Sequence, residues 1–380
     1  MGIETQPDTP LFKIAEASRL GRGSLETLLN IKVSPSRFQS ILIEMAQEVV
    51  NGESVDNLLR YYKESRFVKP CALPQREIIR LEEAIYQEIP KDYADIELSP
   101  LAPLGVNSIL TEVSQRTVLS TVRNVEVLAD PTTSLSLECL NRLRLDNINC
   151  DGVINLSTSA RCTRGQSFPI DSGFVPHFKV FALASGSFKK NEEMSHKIIE
   201  HLEFYLNFIG KNNDTGGYRV KNVQVWISNI NIMEKLIKKL NIDRQELGRH
   251  SQDSNFDAFR FHNIELPTVV KKIDDIDWSM ARNLGIEKDV YALNKISTQV
   301  EDIKNNYPNI NFVYDLGRIA GIGYYNGLCV KMMAENNLGN KFPLVDGGYS
   351  DWLAKLTTNR KAQFCSSGFG LELFGSHFKV

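Results

Sequence analysis

Hydrophobic residues first recur at helical spacing at Phe38, Ile41, Leu42, Met45 and Val49. Ser34-Pro35 ahead of that run offers an N-cap and a first-turn proline, and Asn51-Gly52 behind it offers a stop. A second helix is predicted over roughly 53–63, and residues 1 to about 72 read as short helices. Their basic residues (Arg19, Arg22, Lys32, Arg37, Arg60, Lys63, Arg66) are interspersed with acids, which describes a solvated face better than a nucleic-acid patch. Lys69-Pro70 and Leu73-Pro74 punctuate the chain, so a small N-terminal helical domain, 1–72, is expected before a core at 73–380.

From residue 75 helices and strands mix. Ile78, Ile79, Leu81, Ala84, Ile85 and Ile89 predict an amphipathic helix over 75–89. Apolar runs at 94–98, 117–130, 152–160 and 177–185 predict strands, and 191–209 predicts a strong helix. A strand at 223–228 runs into a helix at 230–240, and the polar, helical stretch 243–310 reads as an insertion. Strands follow at 311–316, 322–333 and 342–346, then a helix near 350–357 and a glycine-bearing strand–helix junction at 366–375. Strands that do not alternate regularly with helices point to an α+β fold, not a doubly wound one.

Composition changes little. The 380 residues are 42% hydrophobic and 24% charged with a net charge of −2, so no global pull toward nucleic acid exists. No apolar window is long enough for a membrane span, and MGIETQPDTP lacks a secretory pattern. Gly2 with Gln6 is a poor myristoylation match. Cysteines 71, 139, 150, 162, 329 and 365 form no CxxC pair, and His196 and His201 fall on different helix faces. Neither zinc nor disulfides are expected, and the cytoplasm is the expected compartment.

Candidate chemistry sits in short glycine-rich segments. Gly321-Ile-Gly-Tyr-Tyr-Asn-Gly327 places Tyr324 and Tyr325 side by side; on a strand they would face opposite ways, one lining a pocket and one packing. Val345-Asp-Gly-Gly-Tyr-Ser-Asp-Trp-Leu353 brings Gly347 and Gly348 to what reads as a strand–helix junction able to offer N–H groups to an anion. Ser366-Ser-Gly-Phe-Gly-Leu-Glu372 offers Gly368 as room for a flat ligand.

In their order these segments resemble histidyl-tRNA synthetase, a class II aminoacyl-tRNA synthetase. Gly321–Gly327 is similar to its "RGLDYYTG", Gly347–Leu353 to "GGRYDGL", and Gly368–Glu372 to motif 3, "GFAxGLER". Ala129-Asp-Pro-Thr132 is similar to the "RPEGT" turn; Arg161-Cys-Thr-Arg164 with His177–Gly186 is similar to motif 2, "RYER…FHQLGVEVFG". The resemblance spans roughly 75–375 and includes the motif 1 helix and strand. It implies an antiparallel sheet flanked by helices, a homodimer, and ATP with magnesium as cofactors. It also implies Arg161 at the α-phosphate as the catalytic cation. Asp130 and Thr132 would then meet a ligand ammonium. Arg164, His177, Lys179, Tyr324, Tyr325, Gly347, Gly348 and Gly368 would line the pocket.

The departures are as informative. Thr163 stands where the family has the adenine-reading glutamate, Leu373 where it has the γ-phosphate arginine, and Ala320 where an arginine opens "RGLDYYTG", with Arg318 nearby. Lys179 and Leu183 replace the histidine-reading glutamine and glutamate, and Tyr349 replaces the arginine of "GGRYDGL". The sequence stops at Val380, where the family places its anticodon-binding domain. These changes set the ATP and magnesium roles and tRNA recognition against the sequence. The expected function is that of a paralogue binding an amino acid or related small molecule as a regulatory or accessory subunit. The alternative is an ATP-dependent amino-acid ligase or acyl transferase using Arg161, Arg164 or Lys179. Two residues have a plainer reading: Asp130 can cap the helix that follows, and His177 can be a packed histidine.

Overall fold

A computed structural model describes residues 35–145, 152–166, 175–214, 216–250, 253 and 256–380. Ser34 and everything before it, Cys150 and most of the loop after Gly165 lie outside the described residues, as does the Phe38 side chain. The chain divides into two compact units, residues 1–64 with 120–125, and residues 65–119 with 126–380. In the first unit, helices α1 (Pro35–Asn51) and α2 (Val55–Glu64) fall where the apolar periodicity predicts them. Among their side chains Met45, Val49, Leu58 and Tyr61 are exposed.

The second unit opens with α3 (Gln75–Tyr86), β1 (Tyr93–Asp95), β2 (Leu101–Pro103), α4 (Val106–Thr111) and β3 (Val125–Val127), the last straddling the division. Next come α5 (Pro131–Leu145), β4 (Ile154–Thr163), β5 (His177–Ser187), α6 (Glu192–Asn212), β6 (Lys221–Asn229) and α7 (Asn231–Leu240). The stretch read as an insertion holds α8 (Arg244–His250), α9 (Ala258–Phe261), β7 (Val269–Val270), α10 (Trp278–Asn283) and α11 (Glu287–Asn306). The chain closes through β8 (Asn311–Asp315), β9 (Leu328–Glu335), β10 (Lys341–Ser350), α12 (Trp352–Thr357), β11 (Gln363–Phe369) and α13 (Leu371–His377).

Nine strands form one sheet in the order β1-β4-β5-β11-β10-β9-β6-β8-β7. The run from β4 to β6 is antiparallel throughout, and β1 and β8 join it in parallel. Strand alternation sends neighbouring side chains to opposite faces. On the first face, Phe181, Leu183, Val225, Ile227, Val330 and Met332 pack with α3, α6, α11 and α13. On the second face, Leu156, Ala160, Ala182 and Ala184 pack with α4, α5 and α12. That second layer covers the β4–β5 half. Over β6, β9 and β10 the second-face side chains Trp226, Lys331 and Asp346 stay partly exposed.

Within 243–310, α11 buries Val290, Leu293, Ile296 and Val300 in the main core, a narrow stripe that the surrounding charges obscure in sequence. Two expectations change. The run 117–130 yields a single short 3₁₀ turn and the three-residue β3, not a long strand. The strand expected at 322–333 begins only at Leu328, and both tyrosines sit in the preceding turn. Gly321, Gly323 and Gly327 carry φ of 98°, 83° and 97°, which ends strand geometry there.

Candidate functional site

Asp130 precedes Pro131, the first residue of α5. Its Oδ1 accepts the Thr132 backbone N–H at 2.9 Å and the Thr132 hydroxyl at 2.7 Å, an N-cap arrangement. Its Oδ2 accepts the Tyr324 hydroxyl at 2.9 Å. The Thr132 and Tyr324 hydroxyls are themselves 2.7 Å apart. Three oxygen–oxygen contacts therefore share two hydroxyl protons, and the cluster has more lone pairs than donors. Burial, with Asp130 beside it, pushes the Tyr324 phenol well above its ordinary range, so it stays a donor. Arg164 rims the cluster: Nε donates to the Ala129 carbonyl at 3.1 Å, Nη2 stands 3.7 Å from Asp130 Oδ2, and the guanidinium lies 5.2 Å from the Phe178 ring centroid. Its side chain is 38% exposed, leaving donors free for a ligand.

Tyr325 reaches a second carboxylate. The two tyrosine rings meet edge to face with centroids 4.7 Å apart. Tyr325 donates to Asp346 Oδ1 at 2.6 Å, and Arg318 donates Nη2 to both Asp346 oxygens at 2.8 and 2.9 Å. Arg318 is only 6% exposed; Nε donates to the Ala320 carbonyl, and Nη1 has no hydrogen-bond partner. Glycines make this packing possible: a Cβ on Gly321 would stand 2.6 Å from the Tyr325 ring, and one on Gly348 would stand 2.8 Å from it. Gly347 and Gly348 thus lie inside β10 and admit neighbours, instead of forming the expected junction.

Register aligns a row across the open half of the second face. Trp226 pairs with Lys331, Lys331 with Asp346, and Asp346 with Gly368. The Lys331 ammonium lies 5.2 Å from the Trp226 ring centroid, and burial holds it below the ordinary lysine range. Asp315, at the end of β8, is pushed up to about 6 by burial, partly offset by Arg318. A carboxyl raised in the folded state binds a proton there that the unfolded chain has released. Its contribution is therefore intact below about pH 4 and is lost as pH rises through about 6, on the order of 3 kcal/mol. Asp315→Asn should flatten stability between pH 4 and 7 in urea titrations; an unchanged pH slope would contradict this.

Arg161, His177 and Lys179 belong to the other face. Ala160 and Cys162 pack with α5 on the second face, so Arg161 between them points to the first. There Arg161 Nη1 pairs with Glu372 at 2.9 Å and meets His177 Nδ1 at 3.1 Å, while His177 Nε2 meets the Lys69 carbonyl at 2.8 Å. Lys179 pairs with Glu82 at 2.7 Å, and its backbone N–H donates to Glu372. Cys71 donates to the other Glu372 oxygen at 2.8 Å. The structure thus brings together Asp130, Thr132, Arg164 and Tyr324, sets Tyr325, Gly348 and Gly368 on the same face, and separates Arg161, His177 and Lys179 from them.

This architecture has known counterparts. A crystal structure of an ATP phosphoribosyltransferase regulatory subunit/histidyl-tRNA synthetase from Bacillus halodurans superimposes with a TM-score of 0.60 at 16% identity, over 83% of each chain. The chain has a class II aminoacyl-tRNA synthetase fold. Histidyl-tRNA synthetase from Nostoc shares this synthetase-type fold with a TM-score of 0.58 at 14% identity, over 81% of this chain and 72% of that one. In sequence, the chain is 28% identical over 196 residues to the histidine–tRNA ligase of Saccharolobus islandicus and 27% to that of Saccharolobus solfataricus. The match takes in 46% of this chain and 43% of each relative, so the chain spans less than half of those curated relatives. No family model matches.

Sequence reading of this synthetase-type chain missed Trp226, Lys331 and Asp346 as site residues. Trp226 lay in a predicted strand, and Asp346 sat one residue before the glycine pair that drew attention. Only the cross-strand register shows that they share a row. A separate cleft of about 290 Å³ lies between the end of α6, the start of β6 and residues 306–310. Its lining (Leu206, Ile209, Val220, Val223 and several asparagines among it) carries no charged side chain, so the ionic chemistry lies at the Asp130 face instead. Among the described residues, no helix is long and apolar enough to cross a membrane.

Proposed function

We propose that this chain binds an amino acid or closely related amine at Asp130 and acts as a regulatory or accessory subunit that does not charge tRNA. The observation that carries the reading is the donor-poor cluster of Asp130, Thr132 and Tyr324. An ammonium group brings three donors and a positive charge to a carboxylate and two hydroxyl oxygens, which supplies what the cluster lacks. Arg164, 3.7 Å from Asp130, is placed to donate to the neighbouring α-carboxylate. A pairing of two cores, as the motif 1 resemblance implies, belongs to the same reading.

The residues present do not fit an ATP triphosphate well. Arg161 is turned to the first face and occupied by Glu372, and Leu373 packs against the main core. On the second face the hairpin offers Cys162, Phe178 and Val180, with Arg164 lying over the Phe178 ring. The Bacillus halodurans counterpart is named an ATP phosphoribosyltransferase regulatory subunit/histidyl-tRNA synthetase, which supports carrying an accessory role to this chain.

Thermal-shift and calorimetric titration with the twenty amino acids, each with and without magnesium-ATP, tests the reading. A ligand at a hundred times its Kd stabilises the folded state by about 2.7 kcal/mol, easily visible as a shift in Tm. The expected result is stabilisation by one amino acid class, unchanged by ATP, with no amino-acid-dependent pyrophosphate exchange. Such exchange would instead establish the adenylating ligase.

A further inference from the structure

The sheet face beyond Asp130 carries a lysine, Lys331, that makes no ion pair among the described residues. Lys331 and Asp346 are directly opposed across β9 and β10, close enough for their side chains to meet. They do not pair. Asp346 is taken up by Arg318 and Tyr325, and Lys331 leans onto Trp226. Among the described residues Lys331 makes no ion pair, whereas Arg164 has Asp130 and Arg318 has Asp346. The Arg318 Nη1 atom is buried beside the same row without a partner. Lys331 remains partly exposed; from it the row runs through Asp346, whose charge Arg318 and Tyr325 engage, to Gly368, about 10 Å away, which carries no side chain.

We propose that Lys331, seated on Trp226, is the side-chain subsite of this pocket and selects an amino acid with an anionic side chain. The inference rests on the amino-acid reading of Asp130 and names its substrate class. The ligand's ammonium meets Asp130, its α-carboxylate meets Arg164, and its side chain runs over Gly368 toward Lys331. There a carboxylate replaces the water around the ammonium and supplies the missing counter-charge. A neutral or cationic side chain leaves Lys331 unpaired and, if cationic, repels it.

Calorimetry with glutamate, glutamine, O-phosphoserine and lysine tests this on the full chain. Wild type is expected to bind glutamate or O-phosphoserine at least about tenfold more tightly than glutamine. A preference between those two tells a carboxylate ligand from a phosphate one. Lys331→Met, which keeps the apolar stem on Trp226, should lose that preference while holding glutamine affinity within about threefold. Lys331→Glu should turn the preference toward lysine. If Lys331→Met weakens glutamate and glutamine equally, or changes neither, the subsite assignment is wrong while amino-acid binding stands. If none of the four binds wild type, this inference falls, and the Asp130 reading falls with it only if none of the twenty amino acids binds.

Discussion

Asp130→Ala is expected to weaken binding of the proposed amino-acid ligand by about a hundredfold or more, because it removes the carboxylate that Thr132 and Tyr324 hold and that the proposed ammonium meets. Its effect on folding should be smaller, about 1 kcal/mol for a lost N-cap. The two roles of Asp130 use different oxygens, Oδ1 toward Thr132 and Oδ2 toward Tyr324. Asp130→Asn therefore separates them: a carbonyl oxygen can keep the cap, but the charge is gone. Calorimetry should show Asp130→Asn with near-native Tm and at least about tenfold weaker binding. Tight binding by the asparagine variant would reduce Asp130 to a helix cap.

The largest effect on stability is expected at Asp346. Asp346→Ala leaves the Arg318 guanidinium buried with the Ala320 carbonyl as its remaining acceptor, and should cost about 3 kcal/mol in urea unfolding. Arg318→Met combined with Asp346→Leu removes both charges and should recover much of that loss, since a paired removal leaves no stranded ion. Asp346 is itself 47% exposed. A loss below about 1 kcal/mol would therefore mean that water, not Asp346, satisfies Arg318.

Local patterns made the framework legible. Helical spacing located α3, α6 and α7, and the order of glycine-bearing segments pointed to the synthetase-type core before any strand order was known. The Asp130–Thr132 turn was legible for a local reason, because both residues act within one helix start. What could not be read was which residues share a face. Arg161 and Arg164 stand three residues apart, yet one turns toward Glu372 and the other toward Asp130. A slip of a single residue in matching a strand to a family motif exchanges its faces, and nothing within the hairpin sequence fixes that parity. Lys331 and Trp226 come together only through pairing of β6 with β9, a hundred residues apart in sequence. The turn holding Tyr324 and Tyr325 read as strand because its glycines flank aromatic residues, and only their positive φ values show the chain leaving extended geometry.

The central claim is that Asp130, Thr132 and Tyr324 hold an ammonium group. Isothermal titration of wild-type protein with the amino acid that stabilises it most, set beside the matching 2-hydroxy acid, tests this most directly. The two ligands have the same side chain and carboxylate and differ only at the group meant for Asp130. The account predicts at least about a hundredfold weaker binding of the hydroxy acid, with that difference abolished in Asp130→Asn. Equal affinity of the two ligands for wild type would contradict it.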